Sequence, residues 1–167
     1  KDFDLIAIGN QTKATANAAT AIGTLAKATG NNSTAIGNQA NASASGSIAF
    51  GQVTTADAHG ALAMGNGTKA NGVGATALGR TAKAANDGTV ALGWNAEATG
   101  DHAIAIGGDG KGAAFDNTNT TFAGLNEKTT ASAKNAVAIG HQATANIEGG
   151  VALGSESKTT VAAGVQG

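Results

Sequence analysis

Thr20-Ala21-Ile22-Gly23 begins a stretch that returns fourteen residues later as Thr34-Ala35-Ile36-Gly37. The shared element is an Ala, then one larger apolar residue, then a Gly, and it occurs in ten copies. Eight copies follow one another at intervals of fourteen residues, and the last two are again fourteen residues apart. The ten glycines are Gly9, Gly23, Gly37, Gly51, Gly65, Gly79, Gly93, Gly107, Gly140 and Gly154. A repeat of constant period is typical of solenoid folds, in which each unit stacks on its neighbours.

Each fourteen-residue unit contains two short segments in which small or apolar residues alternate with others. The first segment leads into the repeat Gly, and the second is centred five residues after it, as at Ala28 and Ala42. Alternation with period 2 indicates β-strands, and the Gly and Asn residues between the segments mark turns. We therefore predict an all-β fold, a two-sided parallel β-solenoid with fourteen residues per rung. Stacking at about 4.8 Å per rung would set equivalent residues side by side.

The composition predicts a poor core. Ala, Gly and Thr supply 87 of the 167 residues, whereas Leu, Ile, Val and Phe supply 27. A thin coil has room for Ala, Gly and one modest aliphatic residue per rung, so we expect the residue before each repeat Gly to form the structural core. These residues are Ile8, Ile22, Ile36, Phe50, Met64, Leu78, Leu92, Ile106, Ile139 and Leu153.

A second column of apolar residues lies three positions before each repeat Gly. By strand alternation it lies on the same face of the strand as the residue just before the Gly, and the invariant Ala lies on the opposite face. Both faces would need burial, so we expect one to line the coil and the other to contact identical copies. Oligomerisation is a usual remedy for a core of this size.

Charge and residue types exclude several functional classes. The net charge is −1 and Cys is absent, so the chain shows neither a nucleic-acid footprint nor a disulfide framework or thiolate metal site. No apolar run approaches the roughly 20 residues of a membrane-spanning helix, and the first residues show no signal-peptide pattern. His59, His102 and His141 fall at three different repeat positions, and no catalytic set recurs in register. We predict no enzyme activity, no metal site and no cofactor.

Candidate ligand-binding side chains stand at two repeat positions. Lys13, Lys27, Lys69 and Lys83 each lie four residues after a repeat Gly, so stacking would place Lys13 beside Lys27 and Lys69 beside Lys83. A solvated face is the favoured interpretation of these lysines, and binding of an acidic glycan is the alternative. Trp94 lies one residue after a repeat Gly, in an otherwise polar column. It is expected to face the surface, where it either packs on a neighbouring loop or anchors a ligand.

The interval from Gly107 to Gly140 is 33 residues, which is one rung plus 19. The added residues lie within 108–134 and include Phe115 and Phe122. Insertions in solenoids form loops at one edge and often carry a binding surface. The alternative is a self-packed loop whose aromatic side chains cover the rod.

Two stretches, Asn32-Ser33-Thr34-Ala35-Ile36-Gly37-Asn38-Gln39-Ala40 and Asn135-Ala136-Val137-Ala138-Ile139-Gly140-His141-Gln142-Ala143, resemble a known repeat. It is the fourteen-residue head repeat of YadA-like trimeric autotransporter adhesins, written roughly Asn-Ser-Val-Ala-Ile-Gly-x-x-Ser. The resemblance covers residues 5–107 and 135–160. The chain departs from the repeat where Thr20, Thr34 and Thr76 replace the Val.

The resemblance implies a left-handed parallel β-roll, three copies of which join into a homotrimeric head. It implies a single head domain over 1–167, in which 155–167 is the C-terminal end of the roll and the neck and stalk are absent. Such heads lie on the outer membrane of Gram-negative bacteria and bind extracellular matrix proteins, host-cell receptors or one another. No nucleic acid is expected as a partner, and membrane contact is expected only through a C-terminal anchor absent from this sequence.

Two other solenoid classes fit the sequence less well. An ice-binding solenoid needs a flat Thr ladder, but Thr12, Thr54 and Thr68 occupy one column and Thr20 and Thr34 another. A hexapeptide-repeat acyltransferase or a polysaccharide lyase fits no better, because fourteen is not a multiple of six and no acid/base cluster recurs. Both classes rank behind the adhesive head.

Overall fold

The computed structural model describes residues 4–108 and 128–160. These residues form a parallel β-roll of two sheets without a helix. Each unit supplies one strand of three residues to one sheet and one strand of two residues to the other. Each strand pairs in parallel with the equivalent strand of the next rung. The predicted all-β, two-sided parallel solenoid with fourteen residues per rung is confirmed.

The three-residue strands form a ten-stranded sheet in chain order. They are β1 (Ile6–Ile8), β3 (Thr20–Ile22), β5 (Thr34–Ile36), β7 (Ile48–Phe50), β9 (Leu62–Met64), β11 (Thr76–Leu78), β13 (Val90–Leu92), β15 (Ile104–Ile106), β17 (Val137–Ile139) and β19 (Val151–Leu153). Within the described ranges, the two-residue strands form a nine-stranded sheet behind it. They are β2 (Lys13–Ala14), β4 (Lys27–Ala28), β6 (Asn41–Ala42), β8 (Thr55–Ala56), β10 (Lys69–Ala70), β12 (Lys83–Ala84), β14 (Glu97–Ala98), β16 (Thr130–Ala131) and β18 (Thr144–Ala145).

Two tight turns close each complete rung, and both require backbone with positive φ. The repeat Gly opens the first turn, and at Gly23 φ is +126° while an added Cβ would lie 2.5 Å from the carbonyl oxygen of Gly37 in the next rung. The residue two positions after the repeat Gly has a left-handed backbone conformation, even where it is Leu25 or Val53. The tightness of these turns brings the two sheets close together.

The core between the sheets consists of small side chains. The invariant Ala before each larger apolar residue points inward, as Ala63 and Ala77 do with no exposure. Among the described residues, the largest fully buried side chains are four threonines, Thr54, Thr68, Thr89 and Thr129. The predicted aliphatic residue per rung is therefore absent from the interior.

The prediction that the residues before the repeat Gly form the core is wrong for this chain. They alternate with the inward Ala and so lie on the outer face of the ten-stranded sheet. Phe50 remains 46% exposed and Leu78 43% exposed. The physical reason is the narrow gap between the sheets, which accommodates an Ala methyl but not a Leu or Ile side chain. The residues concerned are Ile8, Ile22, Ile36, Phe50, Met64, Leu78, Leu92, Ile106, Ile139 and Leu153.

Buried threonines form hydrogen bonds that link successive rungs. The Thr54 hydroxyl donates to the carbonyl oxygen of Gly65 at 2.5 Å, and the Thr129 hydroxyl donates to that of Gly140 at 2.6 Å. In rungs that carry Ala at this position, such as Ala26, the site is occupied by a methyl group. These hydroxyls are satisfied, so they add polar contacts to the core without leaving a buried group unpaired.

The roll continues across the insertion. Glu97 pairs with Thr130 and Ala98 with Ala131, so the rung that follows β14 in the nine-stranded sheet resumes by Lys128. Residues 128–134 belong to the roll, and the residues added to the repeat therefore fall within 109–127, outside the described residues. At the other end, an isolated parallel bridge between Thr144 and Lys158 extends the stacking by one further rung.

Candidate ligand-binding surfaces

One flat apolar surface covers the outer face of the ten-stranded sheet. Two columns form it, the residues one and three positions before each repeat Gly, and we call them together the apolar strip. Thr20, Thr34 and Thr76 are its polar members. Ten strands at about 4.8 Å make a strip roughly 43 Å long. Solvent-exposed apolar surface of this extent marks an interaction site in a soluble protein.

The lysines stand on the other sheet, as the spacing predicted. The register pairs Lys13 with Lys27, and Lys69 with Lys83. Asn41 and Thr55 separate the two pairs along the nine-stranded sheet. Like charges directly opposite each other in a sheet are unfavourable, so each pair concentrates positive charge at a small energetic cost.

A shallow groove of about 300 Å³ runs beside the second lysine pair. We call it the lysine groove, and it is lined by Gly67, Lys69, Thr81, Ala82, Lys83, Asn95, Glu97 and Lys128. Among the groove residues, three carry positive charge and one carries negative charge.

Glu97 joins two of those lysines. Its Oε1 accepts a hydrogen bond from the Lys83 ammonium at 2.9 Å, and its Oε2 accepts one from Lys128 at 2.7 Å. Burial by itself raises the pKa of the Glu97 carboxyl, but the hydrogen bonds and charges of Lys128 and Lys83 outweigh burial and leave the pKa below its usual value. The carboxylate is therefore charged near neutral pH and holds both ammonium groups in place.

The sequence did not indicate this cluster. Glu97 stands where other repeats carry Lys, four residues after Gly93, and Lys128 lies within the stretch 108–134 that contains the insertion. Counting back from Gly140 would have found Lys128, because it lies twelve residues before that Gly, as Asn95 lies twelve residues before Gly107, and the two are neighbours in the stacked rungs. The relevant signal was the register that the roll resumes after the insertion.

The first lysine pair borders a second segment of groove. Leu25, Lys27, Gln39 and Asn41 line about 360 Å³ there. These residues occupy two repeat positions, two and four after the Gly, which also supply every lining residue of the lysine groove except Ala82. Both segments therefore run along the rod on the nine-stranded sheet, but this one contains a single lysine.

Trp94 is half-buried and lies next to Arg80 in the adjacent rung. The Arg80 guanidinium carbon is 5.7 Å from the centre of the indole ring, within the range of a cation–π contact. Trp94 faces outward as its polar column predicted, and its use as a ligand anchor stays a prediction. Phe115 and Phe122 lie outside the described residues.

Within residues 4–108 and 128–160, no three His, Cys, Asp or Glu side chains come together as a metal site would require. His59 instead lies with its ring Nδ1 2.9 Å from the carbonyl oxygen of Ser45. In the same part of the chain, no helix has the length and apolar character needed to cross a membrane.

The fourteen-residue rungs agree with a known family. The YadA head domain repeat matches residues 6–26, 28–54, 56–82, 70–96, 84–109 and 131–157. The chain belongs to the YadA head repeat family. Comparison with curated protein sequences gives no match.

A solved structure extends this YadA-type relationship to three dimensions. The collagen-binding domain of Yersinia adhesin YadA superimposes with a TM-score of 0.70 at 26% sequence identity, over 98% of this chain and 79% of that one. The family and the fold are those of an adhesin domain. The repeated YadA head unit is also what places the apolar strip on one side of the roll and the lysines on the other.

Proposed function

We propose that this chain is the adhesive head of a bacterial surface protein, which binds an extracellular matrix protein or a host-cell receptor. The observation that carries the proposal is the roll itself, with fourteen residues per rung. Over 98% of the chain it is similar to a collagen-binding adhesin domain. A Gram-negative outer membrane with an autotransporter anchor is the corresponding context. Adhesion through repeated weak contacts then gains strength from many copies on one surface.

The head works as a homotrimer in this proposal, with the apolar strip as the contact between copies. An apolar surface roughly 43 Å long is costly to leave in water, and identical copies offer a complementary apolar partner. The small core supports this assignment because Ala side chains alone bury little apolar area per rung. Three copies are expected from the family resemblance.

Light scattering behind a sizing column measures this assembly. A trimer has a mass of 3 × 15.9 = 47.7 kDa. Leu78→Glu places a charge in the middle of the apolar strip and is expected to yield the 15.9 kDa monomer. The matched control is Thr55→Glu, which places the same charge on the outer face of the nine-stranded sheet and should leave the trimer intact. A folded monomeric wild type, or a trimeric Leu78→Glu variant, would contradict the proposed contact.

Adhesion is measured separately on surfaces coated with collagen, fibronectin or laminin, and on cultured host cells. We expect saturable binding of the wild type to at least one of them, and weaker binding of the Leu78→Glu variant because avidity is lost with the trimer. A folded wild-type trimer that binds none of these surfaces would refute the adhesive function.

Deletion of residues 109–127 tells whether the roll or the insertion holds the ligand. The deletion brings Gly107 and Gly140 to a spacing of 33 − 19 = 14 residues, so the rung closes in register. If the roll surface binds, the deletion variant adheres like the wild type. Loss of adhesion by a folded, trimeric deletion variant would assign binding to the insertion, including Phe115 and Phe122.

A further inference from the structure

The lysine groove concentrates positive charge on a chain that is otherwise close to neutral. Lys69, Lys83 and Lys128 carry three positive charges there, and Glu97 carries one negative charge. The local balance is therefore 3 − 1 = +2, whereas the whole chain carries −1. A local charge of this kind raises the concentration of oppositely charged ligands near the surface.

Two of the three lysine ammonium groups are held in place by Glu97. Glu97, whose side chain is 19% exposed, accepts hydrogen bonds from both Lys83 and Lys128, while these two lysines keep 45% and 39% of their side-chain surface exposed. One carboxylate thus positions two ammonium groups that still face the groove. Lys69 stands in register beside Lys83 and has no ion pair within the part of the chain that the structure describes.

We propose that the lysine groove binds a sulfated linear polysaccharide lying along the rod. Successive rungs set the backbones of Lys69 and Lys83 about 4.8 Å apart, a spacing comparable with the advance of such a polymer per sugar ring. Each sulfate group can then meet one ammonium, and the polymer continues along the groove from rung to rung. Ion pairs made with charged partners at fixed positions lose less side-chain entropy than pairs made with mobile lysines.

The lining of the groove favours a polysaccharide over a single-stranded nucleic acid. Its described residues include no aromatic side chain on which a base could stack, and stacking platforms are the usual feature of such nucleic-acid sites. The Thr81 hydroxyl donates a hydrogen bond to the Arg80 carbonyl oxygen at 2.7 Å, and its oxygen can still accept one from a sugar hydroxyl.

The groove lies on the nine-stranded sheet and the apolar strip on the outer face of the ten-stranded sheet. Copies that cover the apolar strip therefore leave the lysine groove open. The glycan site does not depend on matrix-protein binding, and it can be measured in the trimer or in the Leu78→Glu monomer. Failure of either proposal would leave the other standing.

Heparin is the probe, immobilised on a biosensor and titrated with the full 167-residue chain. The Lys69→Gln/Lys83→Gln double variant is expected to bind at least tenfold more weakly than the wild type. The matched control is Lys13→Gln/Lys27→Gln, which removes the same charge from an equivalent in-register pair that lacks Glu97 and a third lysine. We expect that control to bind within about threefold of the wild type, and thermal unfolding of each variant checks that it is folded.

Three results would overturn the proposal. One is a wild-type chain that does not bind heparin, and another is an equal loss of binding in both double variants, which would show that net charge alone attracts the polymer. The third is binding of a single-stranded oligonucleotide as tight as that of heparin, lost in the same variant, which would assign the groove to nucleic acid.

Discussion

Ser33 and Ser47 are equivalent residues in adjacent rungs, and only one of them has a hydrogen-bond partner for its hydroxyl. Both side chains are fully buried. The two rungs are joined at this position, since the backbone N–H of Thr34 donates to the Ser47 carbonyl oxygen at 2.9 Å. The Ser47 hydroxyl donates to the Ala44 carbonyl oxygen at 2.7 Å, whereas the Ser33 hydroxyl has no partner among the described residues. Other rungs carry Ala at this position, as at Ala61 and Ala75.

Replacing Ser33 by Ala should therefore stabilise the roll. The change removes a buried hydroxyl whose lost hydration nothing offsets, worth about 1 kcal/mol or more. Ser47→Ala is the matched control and should lower the free energy of unfolding by about 1 kcal/mol, because it removes a satisfied hydrogen bond. Chemical denaturation of both variants gives the comparison, and equal effects of the two substitutions would contradict it.

Val53 should be a site at which Gly stabilises the fold. Its φ is +55°, a left-handed conformation that costs a β-branched residue about 1–2 kcal/mol. Gly67 occupies the same repeat position one rung later with φ +67°. We expect Val53→Gly to raise the free energy of unfolding by about 0.5–1 kcal/mol after the entropic cost of Gly is deducted.

Val73→Gly is the control for that substitution. Val73 is as exposed as Val53, at 50% against 48%, but it is not among the residues with positive φ. Gly should lower stability there by about 0.5–1 kcal/mol, since it only adds freedom to the unfolded chain. Opposite signs at the two valines would show that backbone strain, and not loss of an exposed side chain, decides the outcome.

Thr76 and Ala77 are neighbours in β11 that point to opposite faces, so the same new residue should have opposite effects. Ala77→Val adds two methyl groups between closely spaced sheets and should destabilise the roll by about 1–3 kcal/mol. Thr76→Val acts on the apolar strip, where Leu62 and Val90 flank Thr76. It should leave stability within about 0.5 kcal/mol of the wild type or improve it. Thermal unfolding of both variants shows whether the outer face tolerates the Val side chain and the inner face does not.

Glu97 should make the stability of the roll depend on pH in the acidic range. Its pKa is lower in the folded chain than in the unfolded chain, so its ion pairs contribute stability above the usual carboxyl pKa. That contribution is lost as the pH falls through the folded pKa, because the protonated carboxyl no longer pairs with Lys83 and Lys128. Thermal midpoints at pH 7 and at pH 3 should therefore differ less in Glu97→Gln than in the wild type.

The control for that measurement is Glu148→Gln, at an exposed carboxylate with no ion pair among the described residues. Its midpoints should show the same pH dependence as the wild type. A Glu97→Gln variant that follows the wild type equally closely would mean that the two ion pairs contribute nothing measurable, as is common for ion pairs near a surface.

Register was the part of the structure most readily predicted, since a constant spacing leaves one way to stack the rungs. The pairing of Lys69 with Lys83 followed from counting alone, and the structure confirms it. The contact between Glu97 and Lys128 could not be found by counting forward from Glu97, because the insertion separates the two by 31 residues in the chain, and it required counting back from Gly140. Its length says nothing by itself about where the rung resumes.

The sequence by itself determined the repeat, the two strands per rung, their parallel in-register pairing and the division of each three-residue strand into an Ala face and an aliphatic face. Only the tertiary structure decided which of those faces lies inside. Strand alternation defines two faces but does not rank them, and hydrophobicity alone favoured the larger residues. The two left-handed turns of each rung hold the sheets so close that only Ala, Gly, Ser and Thr fit between them, and the aliphatic side chains are left outside as a surface for a partner.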